Sequence, residues 1–156
     1  MKIAVFPGSF DPFTIGHEDI VLKSLNLYDK VIVAIGENLN KHCLFSLQQR
    51  LDMVSRCFAQ QPRVQVMSYN GLTVDFCHRV GAHYLVRGLR NALDFQYEAD
   101  IASANRMVSP DVETVFFLCA PNHQAVSSSL VRELLHHGHD VKPLLPPAIH
   151  DVVAGH

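Results

Sequence analysis

The stretch from Phe6 to His17, FPGSFDPFTIGH, gathers the residue types that bind phosphate. Pro7-Gly8 predicts a sharp turn that presents the Ser9 hydroxyl and nearby backbone N–H groups to an anion. Gly16 falls where a helix begins and where a side chain would obstruct a ligand. His17 then lies in the first helical turn, where unpaired N–H groups and the helix dipole favour negative charge. A histidine placed there can donate to a phosphoryl oxygen as charge develops in a transition state.

Three other segments carry matching chemistry. Lys41 sits in the polar stretch Asn38-Leu39-Asn40-Lys41-His42, where a long side chain can reach across a cleft as a point charge. Arg87 and Arg90 follow an apolar run and require anionic partners, from a ligand or from Asp94 and Glu98. Those two carboxylates are one helical turn apart and share a face. Ser127-Ser128-Ser129 opens a further helix, where hydroxyls and free N–H groups suit a phosphate chain as well as an ordinary N-cap.

The elements that must position these residues alternate along the chain. Apolar runs at Ile3–Phe6, Lys30–Ile35, Val64–Met67, Tyr84–Arg87 and Val112–Leu118 read as buried strands. Helical spacing covers Gly16–Tyr28, Leu47 to about Ala59 (Ser46 as N-cap, Gln49 completing a capping box), about Leu72–Val80, about Asp94–Met107 and Ser128–His137. Pro146-Pro147 opens a short terminal helix. This alternation predicts a single α/β domain over residues 1–156, a doubly wound five-stranded parallel sheet covered on both faces. Ligands of such sheets bind beyond the carboxyl ends of the strands, where the strand order reverses. The segments 7–17, 36–46, 87–94 and 119–129 all fall there.

Bulk properties narrow the class further. With 156 residues, 48% hydrophobic and 18% charged, the chain suits one folded domain. A net charge of −2 and the lack of a basic run argue against nucleic acid as a partner. No apolar stretch is long enough to cross a membrane, and the first residues do not form a signal sequence, so a cytoplasmic protein is expected. Cys43, Cys57, Cys77 and Cys119 have no metal-ligand spacing and read as reduced, mostly buried thiols. His136-His137-Gly138-His139 ends a helix without a companion carboxylate or thiol cluster and reads as no metal site. Leu134, Leu135, Leu144 and Leu145 are expected in the core or in a subunit contact.

The pattern P-G-S-F-D-P-x-T-x-G-H resembles the signature of class I nucleotidyltransferases, in the form carried by the bacterial phosphopantetheine adenylyltransferase family. Lys41, the block Arg87–Glu98 (RGLRNALDFQYE) and Val126–Leu130 (VSSSL) match in order, and the resemblance spans the whole chain. It implies a Rossmann-like nucleotidyltransferase fold and transfer of AMP from ATP to 4′-phosphopantetheine, a step of coenzyme A biosynthesis that releases pyrophosphate. It implies His17, Lys41 and Arg90 as catalytic groups, and Ser9, Lys41, Thr73 and Arg87 on the acceptor. The implied ATP site comprises Ser9, Phe10, His17, Gly88, Leu89, Arg90, Glu98 and the run His123, Gln124, Ala125, Val126, Ser127, Ser128 and Ser129. Magnesium is implied with ATP, held by substrate oxygens and water, and the family implies a homohexamer. Two positions depart from the family's usual residues: Ser9 replaces a threonine and His123 an aromatic. A sibling enzyme using nicotinate mononucleotide or glycerol phosphate would lack the Arg87–Glu98 block. A nucleotide-binding sensor without turnover would have no need of His17, Lys41 and Arg90 together.

Overall fold

A computed structural model describes residues 1–156. Five parallel strands, β1 (Ile3–Gly8), β2 (Lys30–Gly36), β3 (Val64–Tyr69), β4 (Tyr84–Leu89) and β5 (Glu113–Leu118), form one sheet in the order β3-β2-β1-β4-β5. The helices are α1 (Ile15–Ser24), α2 (Leu47–Cys57), α3 (Thr73–Val80), α4 (Ala92–Val108), α5 (Ser128–His136) and α6 (His150–Ala154). The expected doubly wound architecture is therefore present. The strand order reverses between β1 and β4.

Alternation along the central strands explains the two faces. Ala4 and Phe6, with Val31, Val33 and Ile35, join a core of 21 residues that includes Val21, Met53, Val131 and Ile149 from the helices on that side. Val5, Ile32, Ala34 and Leu85 point the other way, against Val74, Phe76 and Cys77 of α3. Leu145 is buried, and Leu134, Leu135 and Leu144 pack against the larger core. All four leucines thus have an intrachain role.

Several boundaries differ from the sequence reading for identifiable reasons. β1 continues through Pro7 and Gly8, which pair with Ala34 and Ile35, so the chain turns only at Ser9-Phe10. The Pro7 carbonyl faces β4, so its missing N–H faces that side too, where the ladder has already ended. α1 stops at Ser24, not Tyr28, and the Leu25, Leu27 and Tyr28 amides close tight turns there. β4 runs on to Leu89, placing Arg87 inside the strand opposite Phe116 rather than at its end. α4 starts two residues early because Asn91 caps it through the Asp94 N–H. Of the cysteines, all free, only Cys77 is buried and the other three are half-buried, which corrects the expectation of mostly buried thiols.

Candidate functional site

The site originates in an interrupted ladder. β1 pairs with β2 over six residues and β4 with β5 over six, but β1 and β4 pair only at Ala4–Tyr84 and Val5–Leu85. Beyond these pairs the strands separate, and the backbone groups facing the gap need other partners. Arg87 supplies one, its Nη1 donating to the Pro7 carbonyl at 2.7 Å. The same guanidinium forks onto Glu98 of α4, Nε to Oε2 at 2.9 Å and Nη2 to Oε1 at 2.6 Å. Glu98, 8% exposed, is the one buried residue of α4. Three of the five guanidinium hydrogens are thus engaged, and the remaining two can meet an anion.

Two cavities open at this gap. One, of 320 Å³, lies between the β1–α1 loop and the start of α5; His17, Arg90, His123 and Ser127–Ser129 line it. The other, of 510 Å³, lies over the ends of β1 to β3 and along α4, with Glu37, Tyr69, Thr73 and Asn105 in its wall. Pro7, Gly8, Ser9, Lys41, Arg87 and Glu98 line both. The cavities therefore meet at two cations, a hydroxyl and a carboxylate.

At the junction Lys41 Nζ donates to Ser9 Oγ at 2.8 Å. The β1–α1 loop is shaped by a close approach: a Cβ on Gly8 would lie 2.8 Å from Phe10 Cζ. Phe10 itself has φ of 50°, an uncommon left-handed conformation for an aromatic residue. This folds the Phe10 ring back over Gly8 and edge-on to His17, with centroids 5.0 Å apart. Phe13 stacks on the His17 ring at 5.4 Å and also meets the Phe10 ring edge-on.

His17 also completes a reciprocal cap of α1. The Thr14 hydroxyl accepts from the His17 N–H at 3.4 Å, and His17 Nδ1 accepts from the Thr14 N–H at 3.0 Å. A backbone N–H can only donate, so Nδ1 carries the lone pair and the ring proton resides on Nε2. Burial among the aromatic rings, then the Arg87 and Arg90 charges, pull the imidazole down to about 3. His17 is accordingly a neutral donor in a fixed tautomer.

Ser127 makes the N-cap that the sequence allowed, and the other two α5 hydroxyls also have protein partners. Ser127 Oγ accepts from Leu130 N–H at 3.1 Å, Ser128 Oγ donates to the Pro12 carbonyl at 2.7 Å, and Ser129 Oγ accepts from Arg132 Nη2 at 3.2 Å. The hydroxyls hold the helix start in place. The Ser128 and Ser129 N–H groups, at the first two helical positions, remain to receive an anion. Arg90 stands across from them, its Nε and backbone N–H both on Asp94 Oδ2, at 3.2 and 2.9 Å, with both terminal nitrogens left over.

Most of the anticipated residues reach one cavity or the other. Ser9, Phe10, His17, Gly88, Arg90, Glu98, His123, Val126 and the three serines line the smaller. Thr73 lines the larger, its hydroxyl 2.8 Å from Tyr69 Oη. Three do not: Leu89 is buried in the protein, and Gln124 and Ala125 are exposed outside both walls. His123 Nδ1 is buried without a hydrogen-bond partner, 4.0 Å from Asp19 Oδ2. Arg132 was missed; it lines the smaller cavity and donates to the Asp11 carbonyl at 2.8 Å. Its position three residues after Ser129, on the helix that begins at the site, is the signal that could have found it.

This arrangement, a parallel sheet split at its reversal point above a helix-start histidine and a cluster of cations, defines a nucleotidyltransferase. The cytidylyltransferase-like family model matches residues 5–134. Phosphopantetheine adenylyltransferases from Flavobacterium psychrophilum and Cytophaga hutchinsonii are 46% and 48% identical to this chain, covering 96% and 93% of it and 98% and 97% of their own lengths. The chain belongs to the phosphopantetheine adenylyltransferase family within the cytidylyltransferase-like enzymes. In fold it is similar to a putative nicotinate-nucleotide adenylyltransferase from Vibrio parahaemolyticus (TM-score 0.71, 19% identity, 99% of each chain). It is also similar to a bifunctional NMN adenylyltransferase/ADP ribose pyrophosphatase from Francisella tularensis (TM-score 0.76, 18% identity, 99% of this chain and 49% of that one).

Proposed function

We propose that this enzyme transfers AMP from ATP to 4′-phosphopantetheine, giving dephospho-coenzyme A and pyrophosphate, with ATP in the smaller cavity and the acceptor in the larger. The observation that carries the reading is the junction at Ser9, Lys41, Arg87 and Glu98, where two separate cavities share one set of charges. The acceptor phosphate, seated by Lys41, Ser9 and the free Arg87 hydrogens, attacks the α-phosphorus in line. It is anionic at neutral pH and needs no strong base. No serine or cysteine nucleophile is required, and catalysis consists of positioning plus stabilisation of charge.

His17 Nε2–H donates to the α-phosphate as charge builds, while Arg90 and the α5 start hold the pyrophosphate end. Thr73 meets the pantetheine arm. Glu98 acts through Arg87, holding its fork. His123 lies on the adenine side of the site. Magnesium bound with the triphosphate would neutralise part of its charge, and it would be held by substrate oxygens and water. No group of three His, Cys, Asp or Glu side chains is placed to hold a metal ion.

The enzyme acts in the cytoplasm as a homohexamer. No helix is long and apolar enough to cross a membrane. Support for assembly comes from α4, which leaves Leu93, Phe95, Tyr97, Ile101 and Val108 exposed, an unusual amount of apolar area for a lone subunit. The decisive experiment is pyrophosphate release from ATP with phosphopantetheine, nicotinate mononucleotide or glycerol phosphate as acceptor. Release with phosphopantetheine alone is expected. Release with another acceptor, or nucleotide binding with no release from any, would overturn the assignment.

A further inference from the structure

Arg50, on α2, is anomalous among the buried side chains. It is only 6% exposed, yet it enters no ion pair. Its guanidinium donates to main-chain carbonyls, Nε to Phe45 O at 3.1 Å and Nη1 to Ser9 O at 2.9 Å. A desolvated cation without a carboxylate is costly, so an apolar residue would serve packing alone better.

Asp11, 2% exposed, makes the complementary connection. Its Oδ2 accepts from the Leu44 N–H at 2.8 Å and its Oδ1 from the Phe45 N–H at 2.9 Å. The two charges bridge the same two segments in opposite directions. Asp11 reaches from the Ser9 loop to the chain entering α2, and Arg50 reaches from α2 back to the Ser9 loop. Ser9 is two residues before Asp11, and Lys41 is three before Leu44. Arg50 lines neither cavity.

We infer that Arg50, with Asp11 as its counterpart, is a positioning residue for the acceptor phosphate, setting the separation of Ser9 and Lys41 without touching substrate. The inference rests on the proposed reading of Ser9 and Lys41 as the acceptor seat. An arginine suits the task because its fork meets two carbonyls at once, whereas a lysine offers a single point. Displacing such a seat by about an ångström can cost on the order of 10²-fold in rate.

The test is steady-state kinetics of Arg50→Lys with both substrates, alone and combined with Lys41→Ala, after circular dichroism confirms folding. Arg50→Lys is expected to raise the acceptor KM at least about tenfold with the ATP KM within about twofold. In the Lys41→Ala background it should cost less than about threefold, because the separation it sets has then lost one end. Equal costs in both backgrounds would overturn the inference while leaving the seat intact. If Lys41→Ala alone leaves the acceptor KM unchanged, the seat reading fails and the inference with it. Asp11→Asn must show the same background dependence, and it decides the matter if Arg50→Lys does not fold.

Discussion

Replacing His17 by Gln separates the two tasks of this side chain. As the third residue of α1, His17 accepts the Thr14 N–H through Nδ1. A glutamine at that position is the usual partner in a capping box and can accept the same N–H through its side-chain oxygen. His17→Gln therefore keeps the cap, removes a titrating group and exchanges the ring-fixed Nε2–H for an amide donor on a flexible side chain. Loss of one pre-aimed donor predicts a fall in kcat of about 10²–10³ with little change in ATP binding.

The titration makes a separate claim about stability. The imidazole stands near 3 when folded, against 6.5 unperturbed. The unfolded chain thus binds a proton that the folded chain refuses, and stability falls as pH drops below about 6.5 and continues to fall toward 3. The slope is about 1.4 kcal/mol per pH unit, which amounts to about 2 kcal/mol at pH 5. Urea unfolding of wild type and His17→Gln at pH 7, 6 and 5, at one protein concentration, isolates this histidine from the other nine. The variant should lose about 2 kcal/mol less than wild type between pH 7 and 5. Parallel pH dependences would refute the buried neutral imidazole, and a kcat unchanged by the substitution would refute its transition-state role.

Gly8→Ala forces a Cβ to within 2.8 Å of Phe10 Cζ, so it should displace that ring from His17 and lower kcat/KM for ATP about tenfold, read by initial rates. Glu98→Ala leaves Arg87 half-buried without its fork partner; urea unfolding should show a loss of about 2–3 kcal/mol, partly restored by pyrophosphate. Burial raises the Cys57 and Cys77 thiols to about 12. Iodoacetamide at pH 8 should therefore label Cys43 and Cys119 well before them, as mass spectrometry of digests will show. Chelation of divalent cations should abolish pyrophosphate release, with magnesium restoring it.

The parallel sheet and its helix order were legible because the strands are continuous apolar runs and several helix starts carry their own caps, Ser46 with Gln49 among them. The convergence of the candidate anion-binding residues was legible because the sheet topology sends the loops after β1, β2, β4 and β5 to one edge. What the sequence did not disclose was how the polar groups are spent. Three consecutive serines look like three phosphate-binding hydroxyls, but one caps α5, one binds the Pro12 carbonyl and one receives Arg132. Each choice depends on a partner that is close only after folding. Arg50 and Asp11 escaped notice for the same reason. Their contacts lie 41 and 33 positions away, and although Asp11 stands within the P-G-S-F-D-P run, nothing in that run names its partners.

Under the proposed reading, that pattern of use would also let two anionic substrates share one small junction. Arg87 and Arg90 each keep free hydrogens while a carboxylate holds part of the guanidinium, on Glu98 and Asp94. The carboxylates lower the local positive charge before substrate arrives and fix the forks, so little side-chain freedom is lost on binding. Lys41 is held by a single hydrogen bond, to Ser9, on an exposed loop. Under the proposed reading, ATP would meet donors already aimed from α1, α5 and the end of β4, whereas the acceptor phosphate would depend on a lysine whose loop is anchored from below. A site built this way separates its failures. Damage to Arg87 and Arg90 together should weaken both substrates, and damage to the Lys41 loop should weaken the acceptor alone.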